Sequence, residues 1–342
     1  MKKPVDLCMI VLTCVFILFG STIAQERVES AKQRLQRAMK LYSSAKFDAA
    51  IDILSDLSTD NTLEKSDRID VFFALGRSYV AKGQKDKALW AMSKLLEEEP
   101  PIIEPDPDTE CPPLMKVYYR ARKAKTGSDS VRTDPGMKTI AVLDFMNRSI
   151  DDKAKFDPME KGFAELIINS LNGATNLKVI ERERIQWILD EIGLENDPSK
   201  FDQSSAVRVG KQLGVHTVLL GSFIKVKDDM RLLARLVKVE TSEILATDDT
   251  KGDVDDLFEL ADKLSEKVAK TINVKLAQMP QESMAKSETK SLDAMLSYSA
   301  GLALLEKGNY VEAFRKFEEA LKYDPMYEKA KLKKESIRPL IG

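Results

Sequence analysis

The sequence has a single histidine, three cysteines, 15 glycines and 13 prolines in 342 residues. That is too little imidazole and thiol for a His/Cys zinc site or a cysteine framework, and it weighs against catalysis by a Cys–His or Ser–His pair. Glycine and proline are too sparse for collagen-like or low-complexity sequence. Neither sign of charge dominates: 53 Lys and Arg against 55 Asp and Glu leave a net charge of -2. No global basic excess attracts nucleic acid, and no nucleic-acid partner is expected. What is present is 43% hydrophobic and 32% charged residues, enough apolar sequence to bury cores.

At the N-terminus, Lys2 and Lys3 precede an apolar stretch from Leu7 to Phe19 and then Gly20-Ser21-Thr22-Ile23-Ala24. A spanning helix needs about 20 apolar residues, so this stretch is too short to be an anchor. Small residues at the third and last positions before a cut after Ala24 predict a cleaved secretory signal over 1–24. Cys14 is a poor lipid acceptor, with Thr13 before it and Val15-Phe16-Ile17-Leu18-Phe19 after it. After cleavage only Cys111 remains, and it is expected as a free thiol in a loop, which suits an oxidising compartment.

Composition divides the rest. Six of the 13 prolines fall between Pro100 and Pro113, where no helix can continue. Polar stretches from Lys125 to Gly136 and from Pro280 to Ser291 bracket the middle of the chain. The expected order is a helical domain over 25–125, a linker over 126–137, an α/β domain over 138–278, a linker over 279–291 and a C-terminal helical unit over 292–342.

The outer segments share a spacing. Gly301, Ala313 and Pro325 recur at intervals of twelve with Tyr310, Phe317 and Ala320 between them, and Gly76, Ala88 and Pro100 repeat the intervals with Leu75 and Tyr79 beside Gly76. This resembles the tetratricopeptide repeat: small residues where two helices cross, large ones beside them and a Pro ending the second helix. A more degenerate copy over 31–64 keeps Ala38, Leu41, Phe47, Ala50, Leu54 and Leu57 but lacks the Gly and Pro. One repeat cannot bury its apolar face alone. The C-terminal copy therefore needs a cap by the charged helix from Met326 to about Ile337, docking on the middle domain, or another subunit.

From Lys138 the pattern mixes strands and helices. Ile140 to Phe145 reads as a strand buried on both faces, Leu177 to Ile180 as a second strand, Val215 to Val226 and Arg231 to Val239 as a hairpin about Lys227-Asp228-Asp229-Met230, and Ile244 to Asp248 as a last strand. Phe163, Leu166, Ile167 and Leu171, then Ile185, Ile188, Leu189 and Ile192, Ala206 to Leu213, and Leu257, Ala261, Leu264, Val268 and Ile272 read as helices.

Ala141-Val142-Leu143-Asp144-Phe145-Met146-Asn147-Arg148-Ser149, Val179-Ile180-Glu181-Arg182 and Gly210-Lys211-Gln212-Leu213-Gly214-Val215-His216-Thr217-Val218-Leu219-Leu220-Gly221-Ser222-Phe223 together resemble the curli-secretion CsgG family over about 138–276. The departure is Thr241-Ser242, where the family pattern has a Gly in the turn. The periplasmic N-terminal domain of TolB-like proteins has a similar element order. The resemblance implies a mixed-sheet α/β domain, periplasmic or outer-membrane associated, working by assembly and protein contact. Its best-known member is a ring-shaped channel exporting curli subunits, so a channel subunit is the alternative. A barrel hairpin needs about 9 to 11 residues per strand with alternating polarity. Neither Met146 to Pro158 nor Gly193 to Ser205 meets that, and the strands from Val215 to Val239 are needed by the domain's own sheet.

His216 heads an apolar strand without a second His or Cys nearby and reads as structural. Glu181-Arg182-Glu183-Arg184 reads as a solvated first helical turn. Asp144 has no partner acid in sequence and reads as a loop-fixing residue. Gly210, Gly214 and Gly221 are not spaced as a nucleotide cradle and read as a helix end and turns. Trp187 lies off the apolar line of its helix, either half-exposed as an anchor for a protein interface or packed on the sheet. The resulting expectation is an exported, non-enzymatic periplasmic scaffold without cofactor or metal, binding envelope proteins or peptides through its repeats, with homo-oligomers open.

Overall fold

The computed structural model describes residues 29–98, 104–131, 133–172, 174–194, 202–276 and 289–341. The expected signal at 1–24, Pro100 and most of the 279–291 linker lie outside the described residues.

Five helices come first: α1 (Ala31–Ser43), α2 (Phe47–Ser58), α3 (Lys65–Ala81), α4 (Lys85–Glu97) and α5 (Pro112–Thr126). Ser30 and Gln33 form a reciprocal capping box that starts α1, and Pro112-Pro113 start α5 at positions whose N–H groups have no helical partner in any case. Each helix packs on the next. Gly76 of α3 lies against Met92 of α4, where a Cβ would collide with the Met92 side chain, and Leu75 and Ala88 are fully buried with Tyr79 beside them. The small residue at the crossing sits where the spacing requires it.

The middle domain contains β1 (Lys138–Asn147), the short helix α6 (Lys153–Phe156), α7 (Met159–Leu171), β2 (Leu177–Val179), α8 (Arg182–Glu191), α9 (Gln203–Leu213), β3 (Thr217–Val226), β4 (Asp229–Lys238), β5 (Ile244–Asp253) and α10 (Leu257–Thr271). The strands form one sheet in the order β2-β1-β3-β4-β5, parallel between β1 and each of its neighbours and antiparallel from β3 to β5. Phe163 of α7 stacks against Phe145 and Phe223 on one face of the sheet. On the other, Gly210 of α9 lies against Val218 and Val239. Burial on both faces explains why β1 reads as an unbroken apolar run.

Three boundaries differ from expectation. The β3–β4 turn contains only Lys227 and Asp228, with Lys227 at φ 54°, because Asp229 and Met230 already pair with Val226 and Lys225. β3 starts at Thr217, since Val215 and His216 still belong to the turn after α9. β5 continues to Asp253 through polar residues, because its pairing with β4 supplies backbone bonds where apolar burial is absent. Ser242 takes φ 62° in the turn before β5, a conformation for which glycine is the ordinary choice.

The chain closes with α11 (Leu292–Glu306), α12 (Tyr310–Tyr323) and α13 (Glu328–Ile337). A Cβ at Gly301 would collide with the Phe317 ring of α12. Ala313, Phe317 and Ala320 are fully buried, Tyr310 is half-buried, and Pro325 lies in the turn between α12 and α13. Two of the three capping arrangements open in the sequence occur together: α13 packs on α12, and α11 packs on α7 with Ser299 facing Gly162.

Gly221 lacks a Cβ because the Phe145 ring occupies that space. Gly221→Val is expected to cost about 1–3 kcal/mol through overpacking. Ser222→Val, on the opposite and partly open face, is expected to stay within about 0.5 kcal/mol; denaturant unfolding of the two variants checks the difference.

Candidate functional site: a buried ionic junction

The charged side chains that sequence reasoning assigned to solvent converge where the helical units meet the sheet domain. Arg182 and Arg184, at the start of α8, are buried, so this is not a solvated turn. Arg182 lies 3.2 Å from Asp144 of β1 and donates to Glu306 of α11, with Nη1 at 2.9 Å from Oε1. Lys161 of α7 completes the group, 2.7 Å from Asp144 and also paired with Glu306. Asp144 is thus an ion-pair anchor rather than a loop-fixing residue. Burial opposes its ionisation, but the Arg182 and Lys161 charges outweigh burial and hold its pKa below the ordinary value.

A second layer surrounds α13. Lys329 reaches Glu165 at 2.6 Å and also Asn169, both on α7. Lys333 has a buried side chain whose Nζ lies 2.5 Å from Glu183, 3.5 Å from Asp108 and 2.8 Å from the carbonyl of Pro107. Burial works against this ammonium, and Glu183 and Asp108 more than compensate, raising its pKa. Tyr298 of α11 is fully buried beside Tyr327, its hydroxyl without a hydrogen-bond partner, and burial raises its pKa so that it stays a neutral phenol.

The segment Glu104-Pro105-Asp106-Pro107-Asp108-Thr109-Glu110 joins these layers to the N-terminal helices. Acids occupy every second position, and the prolines keep the chain from curling into a helix. Glu104 pairs with Arg122 at 3.0 Å and approaches Lys178 at 3.6 Å, Asp108 meets Lys333, and Glu110 accepts from Arg77 Nε at 2.9 Å. Asp106 instead accepts from the Asp108 N–H and closes its own turn. One strap therefore touches α3, α5, β2 and α13.

The remaining candidates have structural places. Trp187 is buried at 5% exposure between α5 and α8, its Nε1 3.4 Å from Asp129 and its ring under Arg120. It is not available as a half-exposed anchor, because Lys116–Asp190 and Lys123–Glu191 pairs draw α5 over its helix. His216 Nδ1 lies 3.1 Å from the Thr139 N–H and 2.8 Å from its hydroxyl. Cys111 is a free, buried thiol in the residue that caps the start of α5, and burial pushes its pKa up to about 12. Gly214 ends α9 at φ 67°. Among the described residues no group of three or more His, Cys, Asp or Glu could hold a metal ion. The arrangement can fix the orientation of the helical units on the sheet domain.

Residues 129–231 match the family model of the curli production assembly/transport component CsgG. The match opens at Asp129, which holds Trp187 and Gln212, and ends inside β4, short of the extent expected from the sequence. A putative adenylate cyclase 3 of Rhizobium meliloti is 24% identical over 194 residues, covering 56% of this chain and 31% of that protein. The chain therefore spans less than a third of the curated relative's length. Among solved structures, the C-terminal domain of LpoB from Escherichia coli is similar at 18% identity, over 40% of this chain and 94% of that one, with a TM-score of 0.29. Lipoprotein GNA1162 from Neisseria meningitidis matches at 16% identity over 40% and 94%, with a TM-score of 0.27.

Lys333→Met leaves Glu183 and Asp108 without their cation. Because those acids keep some exposure, the expected loss is about 2–3 kcal/mol, below the roughly 3–5 kcal/mol of a fully enclosed pair, read by chemical denaturation. Asp144 and Asp108 have lowered folded-state pKa values, so their contribution is complete above the unfolded pKa of about 3.9 and is lost as pH falls from there through the folded values. Unfolding measured between about pH 5 and pH 2 is expected to show stability falling with pH, with a smaller slope in Asp144→Asn.

Proposed function

We propose that this protein is an exported, non-enzymatic scaffold of the cell envelope, in which tetratricopeptide-like helices bind protein segments and a CsgG-like domain mediates assembly. The family match over residues 129–231 supports the assembly role and the envelope location. The Gly76–Met92 and Gly301–Phe317 crossings support the repeat assignment. The observation that carries the reading is the junction itself: ion pairs from Glu104, Asp108, Arg182, Glu306 and Lys333 give the helices a fixed bearing on the sheet domain. A scaffold needs that fixed bearing to hold one bound segment at a set position relative to another.

Partners recognised by the helices would be extended or helical protein segments. Trp90 of α4, 43% exposed and edge-on to Phe72, is the aromatic side chain the N-terminal helices offer to such a partner. The channel alternative has less support, because β1, β3, β4 and β5, each ten residues long and so long enough for a barrel strand, all pair within the five-stranded sheet. The segment Met146 to Pro158 forms the end of β1, a loop and α6, with Phe156 buried. No helix among the described residues is long and apolar enough to cross a membrane.

Cell fractionation with N-terminal sequencing of the mature chain tests the reading. Recovery from the envelope or periplasm beginning at Gln25 is expected; retention of an uncut chain in the cytoplasm overturns it. Trp90→Glu is expected to weaken binding of partners recovered with the unmodified protein by about tenfold or more without shifting its melting temperature.

A further inference from the structure

β5 is the outer strand of the sheet, and among the described residues no strand pairs with its far side. The two-residue β3–β4 turn makes Val226 and Asp229 a hydrogen-bonded pair. By alternation, Met230, Leu232 and Ala234 direct their backbone groups to Gly252, Thr250 and Asp248, while Thr247, Asp249, Lys251 and Asp253 direct theirs outward. An open edge of this length is a template for another strand, and proteins ordinarily guard such edges with charge.

Here the charges select rather than simply repel. A second β5 running antiparallel can bring the outward groups together in few registers. Centring on Asp249 sets Asp249 against itself, centring on Lys251 sets Lys251 against itself, and centring on Asp248 sets Asp248 against itself and joins no opposite charges. Centring on Thr250 sets Asp249 against Lys251 of the second copy, and by symmetry does so twice, with Thr247 against Asp253 at the flanks. We infer that two copies of this chain join edge to edge through β5, in the register centred on Thr250, making one continuous ten-stranded sheet.

Three contacts within the chain share these groups. Arg231 pairs with Asp249 at 2.9 Å, Lys251 approaches Asp229 at 3.8 Å, and Lys267 Nζ donates to the Asp249 carbonyl at 2.6 Å. The two ion pairs lie on an exposed face, where such bonds are weak, and Lys267 swings away when a strand N–H takes its place. The joined edge follows the symmetry of most homodimers, one patch meeting itself.

The register makes the test specific. In it the two Thr250 Cα atoms are about 4.5 Å apart as a non-hydrogen-bonded pair, within reach of a disulfide, whereas Asp248 faces Gly252. With the full chain and its own cysteines as background, Thr250→Cys is expected to give a covalent dimer on mild oxidation and Asp248→Cys none. Sedimentation is expected to show a dimer that Lys251→Glu weakens by about tenfold or more, while the double variant D249K/K251D recovers to within about threefold. A chain that stays monomeric to about 100 µM overturns the proposal, as do crosslinking at position 248 but not 250 and a double variant no better than Lys251→Glu. If the charge variants fail to fold by circular dichroism, the Thr250→Cys and Asp248→Cys chains still decide.

Discussion

The ammonium group of Lys333 is withdrawn from water at the point where three separate stretches of chain meet. An isolated charge in that position costs several kcal/mol, and the cost is offset only while Glu183, Asp108 and the Pro107 carbonyl all hold their places around it. Position of strap, of α8 and of α13 therefore become one problem with one solution. The group formed by Asp144, Lys161, Arg182 and Glu306 obeys the same logic with two acids against two bases. Such groups add little net stability compared with apolar packing of equal volume, but a displaced partner leaves a bare charge, so they discriminate strongly between the right docking and a near miss.

Apolar contacts supply the stability that the ion pairs orient. Phe145, Phe163 and Phe223 fill the space between sheet and α7, and α11 approaches the far side of α7 closely enough that Gly162 faces Ser299. α7 is thus buried from two directions, which explains why the run from Gly162 to Ile168 is buried without a break. The helical units and the sheet domain share one continuous hydrophobic core. Surface ion pairs elsewhere, such as Arg315–Glu312, contribute little beyond solubility.

Much of this architecture can be read from the sequence, and the parts that cannot have a common cause. Helical and strand periodicities place the five strands and the four longer helices described in the sheet domain, because burial on one or two faces leaves a period in the residues, whereas the four-residue α6 is too short to show one. Gly76 and Gly301 declare their crossings for a similar reason: no other residue fits. The junction leaves no such mark. Arg182, Arg184 and Lys333 have the composition of a solvated helix, and only their partners, far away in sequence, show that they are buried. Trp187 is hidden in the same way, since α5 that covers it lies beyond a polar linker. The alternation of acids from Glu104 to Glu110 is a sign of the junction that the proline pattern of the same stretch obscures.

Lys333 and Pro107 are 226 residues apart, and Arg182 and Glu306 are 124 apart. During synthesis the helices before the strap and most of the sheet domain emerge long before the residues that neutralise them. Glu183, Asp108 and Glu165 must wait in water for Lys329 and Lys333, and the closing of these long loops is the entropically slow step. α13 therefore acts as an inspector of finished work: a chain without it keeps unmatched acids on its surface and remains loose, so that only a chain that carries α13 can present its two helical units in register.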